Sequence, residues 1–218
     1  MKRLMTETVE PRRRGEQRRG AELRRHILFT AKDVFLSQGY ERASMDTVAA
    51  QAGTSKRSLY AHFESKDKLF AAVLDLVREL YLGRLRTPGA YADEPLEAVT
   101  LFCGRFLQLM TWEPQVLTGR LTIAEAERLP DHAWAYFDAI FTSTQDRLGA
   151  YLAGPYQLAP PAAAALAADL LARTVLPRLF RTLLNVEPPV RDDPGDAPLA
   201  EDAGLSAIRQ LVRASLPA

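Results

Sequence analysis

Residues 52–70 read AGTSKRSLYAHFESKDKLF. Gly53 permits a tight turn, Ser55 and Ser65 stand where helix N-caps are wanted, and Leu59 and Phe63 lie four apart on one helical face. The spacing predicts a short helix after Ser55 and a longer one after Ser65. Just upstream, Ser44 can cap a helix with Asp46 in its first turn and Val48, Ala49 and Ala52 on its buried side. Two helices joined by a glycine-containing turn are the geometry that lays a recognition helix in the DNA major groove. With Val48 and Leu59 in the crevice and small Ala49 at the crossing, Lys56, Arg57, Tyr60 and Ala61 face outward. Their polar members suit base edges and phosphate oxygens. Lys66 and Lys68 fall in the first turn of the next helix, where the backbone is already positive; a bound phosphate would turn that penalty into an anion site.

Charge supports a polyanion partner at one end. The formal net charge of the 218 residues is +1, yet residues 1–66 hold fourteen Lys and Arg against eight Asp and Glu, giving +6, and the remainder carries −5. Hydrophobic residues make up 47% and charged residues 25%, ordinary values for a folded chain. Cys103, the single cysteine, excludes an internal disulfide and fits a reducing compartment. The stretch MKRLMTETVEPRRRGEQRRG has no apolar core of the kind a secretory signal or anchor needs, so a cytoplasmic protein is expected. Its arginines, Arg12, Arg13, Arg14, Arg18 and Arg19, are either a disordered tail over residues 1–19 or an arm for a minor groove.

The rest of the pattern is helical throughout. Leu23, Ile27, Ala31, Val34 and Phe35 predict a helix over about 20–38, with Gly39 as a left-handed cap. Leu69, Val73, Leu76, Val77 and Leu80 mark the fourth helix, which stops before the breaker Thr87-Pro88-Gly89. Further helices follow over 96–110, from Pro114, from Pro130 through Leu152, from Pro160-Pro161 to about Leu184, and over 200–216. Pro177 either kinks the long alanine-rich helix or ends it earlier. Residues 187–198, EPPVRDDPGDAP, read as a loose loop. The fold class is all-α with about nine helices.

An enzyme is not expected. The three histidines, His26, His62 and His132, stand in no HExxH, and the sequence has no paired cysteines, glycine-rich phosphate loop or G-x-S-x-G; no cofactor or metal is called for. Cys103 lies on an apolar helical face and reads as core.

The run SMDTVAAQAGTSKRSLYAHFESKDKLFAAVL closely resembles the DNA-binding domain of the TetR family of transcriptional regulators, over about residues 21–80. The resemblance implies a helix-turn-helix head at residues 20–66 and a helical effector-binding and dimerisation domain at 67–218. It implies DNA contacts from Ser44, Thr47, Ser55, Lys56, Arg57, Ser58, Tyr60, His62 and Lys66, with Lys56 and Arg57 near bases. Ala43 and Ala61 depart from the family's polar choices, and Arg57 stands at a position often glycine, where it can add a guanine contact. The family also implies a homodimer through the last two helices, a palindromic double-stranded operator, and repression relieved by a small apolar effector. Small residues such as Ala163 and Ala167 suit close helix approach. Tyr81, Phe102, Phe106, Met110, Trp134, Phe137 and Phe141 are the candidate pocket residues, with plain core as their competing role. LTIAEAERLPD, residues 121–131, further resembles a carboxy-terminal subtype of the family. The alternative function is a structural DNA-binding dimer without a ligand sensor.

Overall fold

A computed structural model describes residues 11–195, 197–200 and 202–217, with side chains from Arg19 onward except Leu82 and Ala203. Among these residues the architecture is all-α, with one isolated backbone bridge, between Trp112 and Val190. The chain divides into two compact units, Met1–Val73 and Leu74–Ala218. The division falls inside the fourth helix, seven residues beyond the expected boundary of 66 and well before the Thr87-Pro88-Gly89 breaker.

The first unit is built from α1 (Pro11–Arg42), α2 (Met45–Gln51), α3 (Lys56–His62) and the start of α4 (Lys66–Leu82). α1 begins at Pro11, so residues 11–19 of the expected disordered tail are helical; the part over residues 1–10 and the side chains of Arg12, Arg13, Arg14 and Arg18 lie outside the described residues. Gly39 interrupts α1 at φ 77°, ψ 166°. That is a break only glycine enters without strain, and it differs in ψ from the left-handed cap the sequence suggests. Ile27, Ala31, Val34 and Phe35 of α1 are buried, as are Val48, Leu59, Phe63 and Leu69. Phe35, Tyr40 and Phe70 form a ring cluster with centroids 5.0–5.9 Å apart.

The second unit holds the rest of α4, α5 (Pro95–Thr111), α6 (Glu113–Ala124), α7 (Pro130–Phe137), α8 (Ser143–Ala153), α9 (Pro160–Thr174), α10 (Leu176–Leu183) and α11 (Ala203–Ser215). Two expected helices are each divided. Between α7 and α8 the chain makes a π turn, Asp138–Thr142, in which the Ser143 amide donates to the Asp138 carbonyl five residues back. Between α9 and α10 the helix breaks at Val175 (φ −113°) and Pro177 enters the first turn of α10, where its missing N–H costs nothing. The proline thus ends one helix and starts another. Nine expected helices become eleven among the described residues for these two reasons.

Ala163 and Ala167 are buried within this unit, where α9 packs closely on α8 around Gly149, so they are taken up by the chain's own packing. Residues 187–195 and 197–198 are held firmly, against expectation. The Val190 carbonyl accepts from the Glu113 amide at 2.8 Å, and its amide donates to the Thr111 carbonyl at 2.9 Å. Arg84 grips Asp193 through two bonds of 2.6 and 3.1 Å, and its guanidinium lies over the Trp112 ring. Arg105, only 4% exposed, donates to the carbonyls of Pro194, Gly195 and Ala197. A carbonyl cage is why a buried cation is tolerated there. Among the described residues, no helix is long and apolar enough to cross a membrane.

Candidate nucleic-acid interface and ligand cavity

The turn between α2 and α3 is closed by main-chain bonds. The Thr54 amide donates to the Ala49 carbonyl at 3.0 Å and the Gly53 amide to Ala50 at 3.2 Å, around Gly53 at φ 60°. This pair of bonds is the Schellman arrangement, which needs a left-handed residue just past the helix end. Ser44 Oγ accepts from the Thr47 amide, Ser55 Oγ from Ser58 and Ser65 Oγ from Lys68, at 3.0, 3.1 and 3.2 Å, so all three expected caps form. His26 of α1 bonds the Ala52 carbonyl at 3.2 Å, tying α1 to the end of α2.

With Leu59 at 0% exposure, the opposite face of α3 presents Lys56, Arg57, Tyr60 (48% exposed) and Ala61 to solvent. Ser44 and Ser55 are exposed, whereas Thr47, Ser58 and His62 are half-buried. Lys56 Nζ pairs with Asp46 Oδ2 at 2.6 Å, bracing α3 to the first turn of α2. Both side chains are mostly exposed, so the pair is worth no more than about 1 kcal/mol and can exchange for a phosphate. Arg57 has no partner among the described residues. The His62 ring leans on Phe63 with centroids 6.4 Å apart.

Lys66 is half-buried and its ammonium points inward: Nζ donates to the Glu41 carbonyl at 3.1 Å and sits 4.2 Å from the Tyr40 ring centroid. Tyr40 in turn donates to Asp67. Lys68, the neighbouring cation of the same helical turn, is exposed. Sequence reasoning missed the Tyr40 seat because it joins residues far apart in the chain.

The seven candidate pocket residues separate. Met110, Phe137 and Phe141 line a cavity of about 450 Å³ inside the second unit. Tyr81, Phe102 and Phe106 are packed core and do not line it, and neither does Trp134, which is 68% exposed. Most of the remaining wall comes from α6 (Gln115, Gly119, Thr122, Ile123), Tyr136 of α7, and Leu176, Leu179, Phe180 and Leu183 of α10. The α10 contribution was hidden because only the break at Val175 turns these residues toward α6. Volume and apolar lining match a small-molecule site. Tyr81 Oη lies 2.9 Å from Thr144 Oγ1, and its ring packs edge-on against Phe106, which packs in the same manner on Phe141. Cys103 is fully buried, and burial pushes its thiol up to about 12, which leaves it an inert core group.

Comparison with known proteins bears on the first unit most directly. Residues 27–73 match the family described as "Bacterial regulatory proteins, tetR family". The transcriptional activator FasR of Mycolicibacterium smegmatis is 47% identical over 62 residues, 28% of either chain. The nucleoid occlusion factor SlmA of Vibrio cholerae is 27% identical over 115 residues, which is 51% of this chain and 59% of that one. The chain thus matches only part of these relatives' length. Among solved structures, a protein from Mesorhizobium loti described as a TetR-family transcriptional regulator superposes with TM-score 0.72 at 20% identity, over 90% of this chain and 96% of its own. The flavonoid-responsive regulator FrrA superposes with TM-score 0.65 at 25% identity, over 89% and 93%. The serine-capped helix pair is thus that of the tetR family of bacterial regulatory proteins over residues 27–73, and the fold around it is shared with these solved structures.

Proposed function

We propose that this protein is a transcriptional regulator that binds a palindromic DNA operator as a homodimer and is released by a small apolar molecule held in the cavity of its second unit. The observation that carries the DNA reading is the outward face of α3, where Lys56, Arg57 and Tyr60 stand in solvent while Leu59 is sealed beneath them. Lys56 and Arg57 are the base readers, and Ser44, Thr47, Ser55, Ser58, Tyr60, His62 and Lys66 hold the phosphates around them. One seven-residue helix reads few bases, so a two-fold pair of heads is needed for a useful site. The last two helices suit that pairing: Phe180, 58% exposed, and Leu184 at the end of α10 join Leu211 of α11 as large apolar side chains in solvent.

The release step uses the ring contacts that begin at Phe141. A ligand pressing on Phe141 acts through Phe106 on Tyr81 of α4, the helix that contributes residues to both units. A shift of α4 changes the spacing of the two recognition helices and loses register with successive major grooves. Selection of bound duplexes from a random pool tests the first step, with a two-fold symmetric sequence expected. Titration of the selected complex with apolar compounds tests the second. A saturating ligand that leaves DNA affinity unchanged would favour a structural DNA-binding dimer without a sensor. FasR is an activator, so the sign of regulation is read separately, by transcription from a promoter carrying the selected site.

A further inference from the structure

The wall of the cavity defines the chemistry of its occupant. No Lys, Arg, His, Asp or Glu is among its lining residues. Arg120, next in sequence to the lining residue Gly119, is committed elsewhere: Nε donates to the Leu183 carbonyl at 2.9 Å and Nη2 to the Thr182 carbonyl at 2.7 Å, closing the end of α10. An anion entering the cavity would therefore lose its hydration and gain no counter-charge.

Polar groups on the wall are few: Gln115, Thr122 and Tyr136. Thr122 donates its hydroxyl to the Thr118 carbonyl at 2.9 Å. Gln115 Nε2 donates to the Tyr136 hydroxyl at 3.0 Å, and both residues are buried. Tyr136 thus accepts one bond and donates none among the described residues, so its O–H is left for a guest. Accepting from the amide polarises that O–H and makes it the stronger donor. Burial holds the phenol well above its ordinary ionisation range, so it stays neutral. Space is reserved beside it: a Cβ on Gly119 would lie 3.6 Å from the Tyr136 oxygen and 3.3 Å from Leu183 Cδ2. Phe137 and Phe141, stacked with centroids 5.2 Å apart, offer a flat apolar face on the same wall.

We propose that the cavity selects an uncharged, largely apolar and preferably aromatic molecule that carries one hydrogen-bond acceptor, received by the Tyr136 hydroxyl, and that it excludes carboxylates and other anions of the same shape. This rests on the reading of the cavity as the effector site. The test uses three compounds of one skeleton with the full chain: benzophenone, which has a carbonyl acceptor; diphenylmethane, which lacks it; and diphenylacetate, which is anionic at neutral pH. Calorimetric titration is expected to rank benzophenone about tenfold tighter than diphenylmethane, with diphenylacetate not binding. Tyr136→Phe should bring benzophenone down to the diphenylmethane level and leave diphenylmethane unchanged. Gly119→Val should weaken both neutral compounds by tenfold or more, and thermal melts confirm that each variant is folded. Diphenylacetate binding as tightly as benzophenone, an undiminished benzophenone preference in Tyr136→Phe, or no binding by any of the three would overturn the assignment. If the ranking holds but none of the compounds alters DNA affinity, the ligand class stands and the sensor reading fails.

Discussion

The two units put the same residue type, the aromatic side chain, to opposite ends. In the first, Phe35, Tyr40 and Phe70 close on one another, and the chemistry faces outward on α3. In the second, Phe137 and Phe141 stack on one wall and leave about 450 Å³ open toward the α10 side chains, so the chemistry is turned inward. A small unit that must hold a rigid reading face has no core to spare, whereas a larger one can forgo some packing for a guest.

The sharpest way to break this contrast is to hollow the first unit. Leu59→Ala removes a fully buried side chain from beneath α3, and should cost about 2–5 kcal/mol in denaturant unfolding, with DNA binding lost in parallel. Retained binding would mean that α3 is not held by that contact. In the second unit, Arg105→Ala strips the cage from the carbonyls of Pro194, Gly195 and Ala197 and should cost roughly 1–3 kcal/mol. Faster hydrogen exchange at the Val190 amide is the accompanying signature, because the segment loses its anchor.

The same contrast explains what the sequence made legible. In the first unit the decisive signals are local: Ser44, Ser55 and Ser65 cap helices three residues ahead, and Gly53 sits one step beyond a helix end. Such features need no knowledge of what packs where. The second unit depends on distant partners. Phe102 and Phe137 have the same character and helical spacing, yet one is core and the other lines the cavity, and only the position of α10 decides between them. The π turn at Asp138–Thr142 leaves no trace in the residue pattern, and Pro177 signalled a disturbance without saying that the helix ends at Val175. Lys66 shows the limit even in the head, since its seat against Tyr40 and the Glu41 carbonyl joins residues some 25 apart.

That seat supplies a finer test. Lys66→Ala should lower the salt dependence of DNA affinity by about one unit and also cost the head about 0.5–1 kcal/mol, because the ammonium serves both roles. Lys68→Ala, with the side chain already in solvent, should lower the salt slope alone. A stability loss without any change in slope would make Lys66 a structural residue only. The smallest effect concerns the Lys56–Asp46 pair. Asp46→Asn should change stability by no more than about 1 kcal/mol while strengthening DNA binding, since it frees Lys56 and removes a negative charge from the reading face. Weaker binding would mean that Asp46 positions Lys56 and does not restrain it.

The central claim is that the solvent-facing side of α3 reads base edges, and Arg57 tests it most directly because no other group among the described residues holds it. The measurement is the affinity of native protein and Arg57→Ala for the selected duplex and for its single-base-pair variants, at one fixed salt concentration. The account predicts that Arg57→Ala loses about 1–3 kcal/mol of discrimination at one position in each half-site and keeps its preferences elsewhere. An equal loss of affinity across every variant, with all preferences intact, would contradict it.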